Sequence, residues 1–278
     1  EKPQNSEKHQ LHLLDNRSAF SETVNSVRTN LNVLIYTQTE RGKLLVITSE
    51  VSGEGKSFAT INLAMSLTKV GKKVLIIVSD LRRSKLHRLF NNNNKVGLSS
   101  FLTGKISEYQ KVIQHSVIDR LDYIPSGPIP LNPTELIQNE RFENMIAACQ
   151  SEYDFVLIDT APIGLVSDNI PLLRKSDLVI FIIRWLYSNG EAYLLADQMA
   201  EEFGLKSVGV IVNDFYKDDL YASLAPASYY ASKGYGYNYK QSYDYYGKPN
   251  GYYSDEEKKE KSVLQKAASW AKRLVKSK

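Results

Sequence analysis

The sequence contains a single cysteine, Cys149, among its 278 residues. One thiol cannot form a disulfide within the chain, which points to a reducing compartment. Cys149 lies in a stretch with helical apolar spacing, so we expect it to pack in the core rather than to react. Long apolar runs are also missing, because the longest, residues 178–183, has the length of a buried strand and not of a membrane helix.

A large excess of charge of one sign is likewise lacking. The formal net charge is +4, with 24% charged and 42% hydrophobic residues, which suffices for one sizeable α/β core with appendages. The globular part has no net basic excess, so no nucleic-acid partner is expected. The chain opens on polar residues 1–10 without an initiator Met, from which we expect no signal peptide and a fragment or a processed chain.

Short apolar runs alternate with helical patterns along most of the chain. Strands are predicted at residues 44–48, 74–78, 121–124, 155–158, 178–183 and 208–212. Helices are predicted at residues 17–37, 57–70, 135–149, 166–174 and 190–202. The runs lack polar alternation, as strands buried on both faces do. The pattern predicts an α/β fold with a mostly parallel sheet flanked by helices on both faces.

Composition divides the chain into four parts. Residues 1–16 are predicted to be a flexible segment and residues 17–216 a globular domain. Residues 217–253 hold eleven of the 18 tyrosines among Ser, Gly and Asn, and cannot build a core, so a mobile tail is expected. Residues 254–278 show helical apolar spacing with eight Lys or Arg and four Asp or Glu. This basic amphipathic helix either docks on its own domain or meets anionic lipid or a partner.

The strongest motif is the run Glu-Val-Ser-Gly-Glu-Gly-Lys-Ser at residues 50–57, which follows a predicted strand and opens a predicted helix. Backbone N–H groups and a helix N-terminus bind phosphate in such a loop. Lys56 is the predicted partner of the β- and γ-phosphates, and the Ser57 hydroxyl is a predicted Mg²⁺ ligand. Glu50 stands where the usual pattern has its first Gly. The predicted nucleotide contacts are Gly53, Glu54, Gly55, Lys56, Ser57 and Phe58.

Two further strands end in acidic residues. Asp159 follows the apolar run 155–158 and is predicted to reach Mg²⁺ directly or through water. The strand at residues 74–78 is followed by Asp80 and Arg82.

The run 74–83 resembles a motif of the bacterial tyrosine kinases, the autophosphorylating regulators of capsule and exopolysaccharide assembly. Their pattern is an apolar strand and then Asp-x-Asp-x-Arg. Asp80 and Arg82 match the second Asp and the Arg, whereas Val78 occupies the position of the first Asp. Similar stretches lie at residues 48–50, 81–87, 97–99, 125–127, 132–136 and 158–162, and the resemblance covers most of residues 17–216. The tyrosine-rich tail also has the form seen in this family.

The resemblance implies a P-loop NTPase fold and a kinase that uses ATP and Mg²⁺ to phosphorylate its own tail tyrosines in a neighbouring subunit. The implied catalytic residues are Lys56, Asp80, Arg82 and Asp159. The implied metal ligands are Ser57, Asp80 and Asp159. Asn213 matches an adenine-contacting Asn of related ATPases. The implied phosphoacceptors are Tyr229, Tyr230, Tyr235, Tyr237, Tyr239, Tyr243, Tyr245, Tyr246, Tyr252 and Tyr253.

The resemblance also implies partners. The family carries Glu-x-x-Arg-x-x-Arg as a ring-forming contact, and this chain shows Glu22, Asn25 and Arg28 at those positions. A homo-oligomeric ring is expected, with an octamer as one candidate. A transmembrane co-polymerase segment or partner and a cognate tyrosine phosphatase are implied, at the cytoplasmic face of the bacterial inner membrane.

Alternatives remain open. Val78 fits a natural variant served by another acid, a weak or inactive kinase that still binds nucleotide, or an alteration that traps one state. A nucleotide-gated oligomeric scaffold is therefore one alternative. A partition-type positioning ATPase is another, although its signature Lys position is occupied by Val51. A small GTPase is disfavoured because residues 212–215 lack the Asn-Lys-x-Asp that reads guanine.

Overall fold

The computed structural model describes residues 19–35, 40–84, 86–90, 93–164 and 169–215. The predicted N-terminal segment, tyrosine-rich tail and C-terminal helix, at residues 1–16, 217–253 and 254–278, lie outside the described residues. One compact unit comprises Glu1–Ser188 with Ala192–Asn213, and a second comprises Asn189–Glu191 with Asp214–Lys278. Of the second unit only residues 189–191 and 214–215 are described, and Asp214 there adopts a positive φ of 59°. The first unit carries the fold.

A seven-stranded sheet forms the centre of the first unit. Its strands are β1 (Lys43–Ser49), β2 (Val74–Val78), β3 (Gln114–His115), β4 (Leu121–Ile124), β5 (Phe155–Asp159), β6 (Leu178–Arg184) and β7 (Val208–Asn213). Their order across the sheet is β3-β4-β2-β5-β1-β6-β7. Neighbouring strands are parallel except for β3 and β4, which are antiparallel. The mostly parallel sheet predicted from the alternating pattern is thus confirmed.

Helices connect these strands. They are α1 (Ala19–Leu34), α2 (Lys56–Thr68), α3 (Leu86–Leu89), α4 (Leu98–Leu102), α5 (Pro133–Ile137), α6 (Glu140–Glu152), α7 (Ile170–Lys175) and α8 (Ala192–Phe203), with a 3-10 turn at Tyr109–Val112. Within the described ranges, no helix is both long enough and apolar enough to span a bilayer.

Alternate residues of each buried strand face opposite sides of the sheet. On β1, Leu44 and Val46 join a hydrophobic cluster with α4 to α8, whereas Leu45 and Ile47 join a second cluster with α1, α2 and α3. Both faces are therefore covered by helices, which explains why the strand sequences show no polar alternation. Cys149 packs in the first cluster, where burial and then the charge of Glu152 raise the pKa of its thiol to about 12.

The helix predicted at residues 135–149 is wrong as a single element, since the chain forms α5 and α6 there. Asn139 interrupts it, because its side chain accepts the backbone N–H of Arg141 at 2.9 Å and caps the start of α6. An Asn at this position satisfies a helix N-terminus better than it continues a helix. The short elements α3, α4, the 3-10 turn and β3 were not predicted, because each is too short to show a periodic pattern.

The strand β7 also differs from expectation. It was predicted to be buried on both faces, yet Val210 and Val212 are 44% and 40% exposed. Among the described residues, β7 is the last strand of the sheet and pairs only with β6, so it has the half-buried pattern of an edge strand.

Candidate functional site

The carboxyl ends of the parallel strands meet at one edge of the sheet, where ligands bind in open α/β folds. β1 lies between β5 and β6. The loop at residues 50–55, called the phosphate loop below, leaves β1 at this edge and leads into α2, which begins at Lys56. The strand–loop–helix context predicted for the motif at residues 50–57 is therefore present, and its backbone can bind phosphate at a helix N-terminus.

Glycine gives the loop its shape. Gly53 and Gly55 have φ angles of 92° and 100°, which lie in the left-handed region where a side chain is strained. A Cβ on Gly55 would lie 2.1 Å from Asn213 Nδ2, so the loop packs tightly against the end of β7. Asn213 Nδ2 donates to the carbonyl of Glu54 at 3.0 Å. In this structure Asn213 supports the loop, and its contact with adenine stays a prediction.

Glu54 has a role that sequence reasoning missed. Its side chain is fully buried, and Oε2 accepts the backbone N–H of Val51 at 2.8 Å. The hydroxyl of Ser188 donates to the other carboxylate oxygen. Glu54 was predicted as a nucleotide contact. Because its carboxylate bonds to Val51 and Ser188 within the protein, its backbone N–H is the group that could contact phosphate. Position five of this motif accepts many residues, so the motif alone does not predict this role.

Lys56 is 8% exposed, and its Nζ donates to Ser49 Oγ at 2.9 Å. Ser49 Oγ in turn donates to the carbonyl of Val51 at 2.9 Å. Burial lowers the pKa of Lys56, and the negative charges of Asp159, Glu54 and Asp80 oppose that change. The ammonium group is thus held in place among acidic groups, at the start of α2.

Asp159 ends β5, and its Oδ2 accepts a hydrogen bond from Ser57 Oγ at 2.6 Å. Its Oδ1 is buried and has no hydrogen-bond partner among the described residues. Mg²⁺ prefers oxygen ligands and is usually bound by one or two carboxylates together with the phosphates of a substrate. The free oxygen of Asp159 and the hydroxyl of Ser57 are ligands of this kind. No group of three or more His, Cys, Asp or Glu within the described ranges is placed to bind a metal.

Burial raises the pKa of Asp159 from 3.8 to about 6, against the hydrogen bond from Ser57 and the charge of Lys56. In the window between these two pKa values the unfolded chain has released this proton and the folded chain keeps it. The contribution of Asp159 to the free energy of unfolding of the metal-free protein should therefore fall as the pH rises, by up to about 3 kcal/mol.

Denaturation by urea at pH values near 4 and near 7 measures this effect in the metal-free protein and in Asp159→Asn. Asparagine does not titrate, so the variant should gain stability relative to the parent as the pH rises. Two stability curves that run parallel across this range would contradict the raised pKa.

Asp80 and Arg82 follow β2 at the same edge. Asp80 Oδ1 accepts the backbone N–H groups of Arg82 and Arg83, both at 3.1 Å, and closes a tight turn. Asp80 is near enough to raise the pKa of both Asp159 and Lys56. The Arg82 side chain donates to Thr134 Oγ1 at 2.8 Å. The metal and catalytic roles of Asp80 and Arg82 stay predictions.

Val78 is fully buried and pairs in register with Asp159 on the neighbouring strand β5. The position of the first Asp of the motif is thus directly beside the candidate metal ligand. An apolar side chain here can neither bind a metal nor accept a proton.

The turn after β6 is a part of the site that sequence reasoning did not find. Three side chains of residues 184–188 donate hydrogen bonds to the phosphate loop, from Arg184, Tyr187 and Ser188. The one available signal was position, because this turn follows a predicted strand at the same edge of the sheet.

The predicted oligomer contacts lie on α1. Glu22 is exposed, whereas Arg28 Nη1 donates to the carbonyl and hydroxyl oxygens of Ser66, each at 2.8 Å, and to Asn25 Oδ1 at 3.0 Å. Asn25 Oδ1 also accepts from Ser66 Oγ at 2.9 Å. Arg28 therefore joins α1 to α2 within the chain, and a ring contact by Glu22 and Arg28 stays a prediction.

Substitution Arg28→Ala is expected to lower the free energy of unfolding by about 1–3 kcal/mol, because it removes charged hydrogen bonds between α1 and α2. Chemical denaturation of dilute protein measures it. The control is Glu22→Ala on the same helix, whose effect should stay within about 0.5 kcal/mol. If Arg28 served only contacts between subunits, both variants would leave the stability of the dilute chain unchanged.

A cavity of about 480 Å³ opens at the opposite edge of the sheet, near the start of β1. Apolar residues and several cations line it, but Arg41 pairs with Asp177 and Lys175 with Glu143. None of the residues predicted for the nucleotide site lines this cavity. The candidate nucleotide site is instead the surface around the loop at residues 50–55.

Several known proteins are similar to this chain in sequence and fold. A family model described as an AAA domain matches residues 42–197. The tyrosine-protein kinase CpsD of Streptococcus agalactiae serotype III is 35% identical over 193 residues, which cover 69% of this chain and 81% of that protein. The tyrosine-protein kinase ptk of Acinetobacter johnsonii is 33% identical over 196 residues, covering 70% of this chain and 26% of that protein. The chain thus spans about a quarter of the longer relative.

Among solved structures, the kinase domain of the Escherichia coli tyrosine kinase ETK superposes with a TM-score of 0.70 at 32% sequence identity. The superposition covers 78% of this chain and 83% of that domain. The α/β P-loop fold predicted from the sequence is confirmed, and a nucleotide is the ligand class that this fold and loop bind.

Proposed function

Because the chain belongs to the bacterial tyrosine kinases, we propose that it binds Mg-ATP at the phosphate loop and transfers the γ-phosphoryl group to tyrosines of residues 221–253. The observation that carries this proposal is the pair Ser57 and Asp159 beside Lys56, with the open Oδ1 of Asp159. These groups provide a cation for the phosphates and oxygen ligands for Mg²⁺ within one small volume.

Positioning and charge stabilisation account for most of the catalysis in phosphoryl transfer. Lys56 would exchange its hydrogen bond to Ser49 for phosphate oxygens, and Ser57 and Asp159 would hold Mg²⁺, which would neutralise charge on the phosphates. The tyrosine oxygen forms a bond to the γ-phosphorus as the bond to the bridging oxygen of ADP breaks. Asp80 is the proposed acceptor of the phenol proton, because Val78 cannot accept one, and Arg82 stabilises the transferring charge.

The proposed acceptors are the ten tyrosines from Tyr229 to Tyr253 named above, in a neighbouring copy of the chain. Each phosphate would add about −1.5 to −2 charges to the tail. Several on one tail would repel each other and acidic surfaces, and release a ring. In this proposal the domain acts at the cytoplasmic face of the inner membrane, beside a transmembrane co-polymerase partner and opposed by a tyrosine phosphatase, and regulates polysaccharide polymerisation or export.

Incubation with Mg-ATP, followed by mapping of phosphate by mass spectrometry, tests the activity. Phosphate is expected on tyrosines of residues 221–253, and it should be absent when EDTA removes Mg²⁺. A chain that binds Mg-ATP and yet acquires no phosphate in these residues would exclude the kinase assignment.

The acceptor copy is identified by mixing the parent chain with a mass-tagged Lys56→Met chain. Phosphate on the tagged chain demonstrates transfer between copies. Phosphate confined to the parent chain would instead place donor and acceptor in one copy.

A nucleotide-gated scaffold is the second candidate, and Val78 is the observation that favours it. In that case Mg-ATP should change the oligomeric state, as measured by light scattering, without phosphate on tyrosine. A partition-type ATPase would share the phosphate loop, but that function would not explain the tyrosine-rich tail at residues 217–253.

A further inference from the structure

Two side chains at the turn after β6 donate hydrogen bonds to backbone carbonyls of the phosphate loop. The hydroxyl of Tyr187 donates to the carbonyl of Ser52 at 2.9 Å. The guanidinium of Arg184 donates to the carbonyl of Gly53 at 3.2 Å. The contact is close, since a Cβ on Gly53 would lie 2.9 Å from the Tyr187 hydroxyl.

The turn itself is well fixed. The backbone N–H groups of Tyr187 and Ser188 both donate to the carbonyl of Arg184, at 3.1 and 2.9 Å, and the Ser188 hydroxyl accepts the N–H of Arg184 at 2.8 Å. The Arg184 guanidinium lies 5.2 Å from the centre of the Tyr187 ring. Trp185, between them, is 7% exposed and anchors the turn in the protein. The donors therefore approach the loop from a turn that its own hydrogen bonds close.

These hydrogen bonds determine where the loop's N–H groups point. In a trans peptide the C=O and the N–H of the same unit point in opposite directions. Since the carbonyls of Ser52 and Gly53 face the turn, the N–H groups of Gly53 and Glu54 face away from it, towards the inside of the loop. Successive N–H groups that converge in this way form a concave anion site.

The buried carboxylate of Glu54 strengthens this arrangement. It holds the N–H of Val51 on one oxygen and the Ser188 hydroxyl on the other. The turn and the loop are thus joined by three side chains of the turn, and none of these bonds uses the N–H of Gly53 or Glu54.

We propose that Tyr187 and Arg184 are positioning residues for the nucleotide, which hold the phosphate loop in its phosphate-binding conformation before the nucleotide arrives. This inference rests on the proposed function, because the anion that the loop awaits is the phosphate chain of ATP or ADP. Neither residue needs to touch the nucleotide. Their contribution is to spare the nucleotide the cost of ordering the loop.

The test compares Tyr187→Phe with the control Tyr109→Phe. Each change removes one tyrosine hydroxyl that makes a hydrogen bond, since Tyr109 donates to Glu152 Oε1 at 2.6 Å, at the end of α6. Hydrogen–deuterium exchange of residues 50–57 is measured on the full chain without nucleotide. Exchange in this segment should become about two- to tenfold faster in Tyr187→Phe and stay unchanged in the control.

Titration of both variants with Mg-ADP gives the second readout. The dissociation constant should rise about three- to tenfold in Tyr187→Phe and remain at the parent value in Tyr109→Phe. Equal exchange rates in both variants would overturn the proposal, and so would faster exchange with unchanged Mg-ADP affinity. If the parent failed to bind Mg-ADP, the proposed function would fail, while the exchange rates would still decide whether the turn orders the loop.

Discussion

Substitution Lys56→Met is expected to abolish tyrosine phosphorylation, with a loss of at least about 10²-fold in rate. Methionine has a similar length but no charge and no donor. The ammonium of Lys56 is buried and held by Ser49 Oγ, close to the start of α2. In such a site a cation acts on phosphate with little screening by water, so its removal costs far more than the loss of a surface charge.

The measurements are the initial rate of phosphate transfer from Mg-ATP and the affinity for Mg-ADP. The matched control is Lys69→Met, the same substitution at the exposed C-terminal end of α2, where both quantities should stay at the parent values. A Lys56→Met chain that transferred phosphate at the parent rate would contradict the proposed site. The circular dichroism spectra of both variants should match the parent, because methionine fills the buried space of Lys56 and because Lys69 is exposed.

Substitution Val78→Asp is expected to raise the rate of tyrosine phosphorylation at saturating Mg-ATP, on the order of 10²-fold if the missing carboxylate limits the reaction. Val78 pairs in register with Asp159, so the new carboxylate would lie beside the candidate metal ligand. It would offer Mg²⁺ a second acidic ligand and the acceptor tyrosine a general base.

The same substitution should destabilise the protein in the absence of metal. Val78 is fully buried, and burial and the charge of Asp159 would both disfavour a second carboxylate there. Mg-ADP should therefore raise the melting temperature of Val78→Asp more than that of the parent, because metal binding offsets the repulsion.

The control for this experiment is Val78→Asn, which has nearly the same shape as aspartate but cannot act as a base. It should share part of the stability loss and show no gain in rate. If Val78→Asp were folded, bound Mg-ADP and still transferred phosphate no faster than the parent, Val78 would not be what limits the reaction. That result would favour the nucleotide-gated scaffold over the kinase.

The groups of the candidate site that belong to local sequence patterns could be predicted from the sequence alone. Lys56 and Ser57 belong to one short motif whose spacing is dictated by a loop around phosphate, and Asp159 ends a strand that its apolar run reveals. These groups lie together because parallel strands end at one edge of the sheet, a rule that a sequence can apply without coordinates. The six parallel strands of the sheet, although not their order, were predicted from the same alternation of runs.

The supporting contacts could not be read in the same way. The turn at residues 184–188 reaches the loop only because β6 lies beside β1, although 128 residues separate Ser49 from Leu178 in the sequence. Strand order is a long-range property that no local pattern encodes. The role of Glu54 could not be predicted either, because its partner Ser188 comes close only when both segments are folded. Asn139 divided a predicted helix for a local reason, since the cap competes with helix continuation.

The position of these supporting residues in the chain has a consequence for synthesis on the ribosome. The segments 50–57, 78–82 and 155–159, which hold the groups for phosphate and metal, leave the ribosome before the turn at residues 184–188 and before Asn213. A nascent chain that ends short of β6 contains these three segments but lacks the contacts that shape the loop, which come from residues 184–188 and Asn213. We therefore expect the ability to bind nucleotide to appear late, when β6 and β7 have joined the sheet, so that incomplete chains do not sequester ATP.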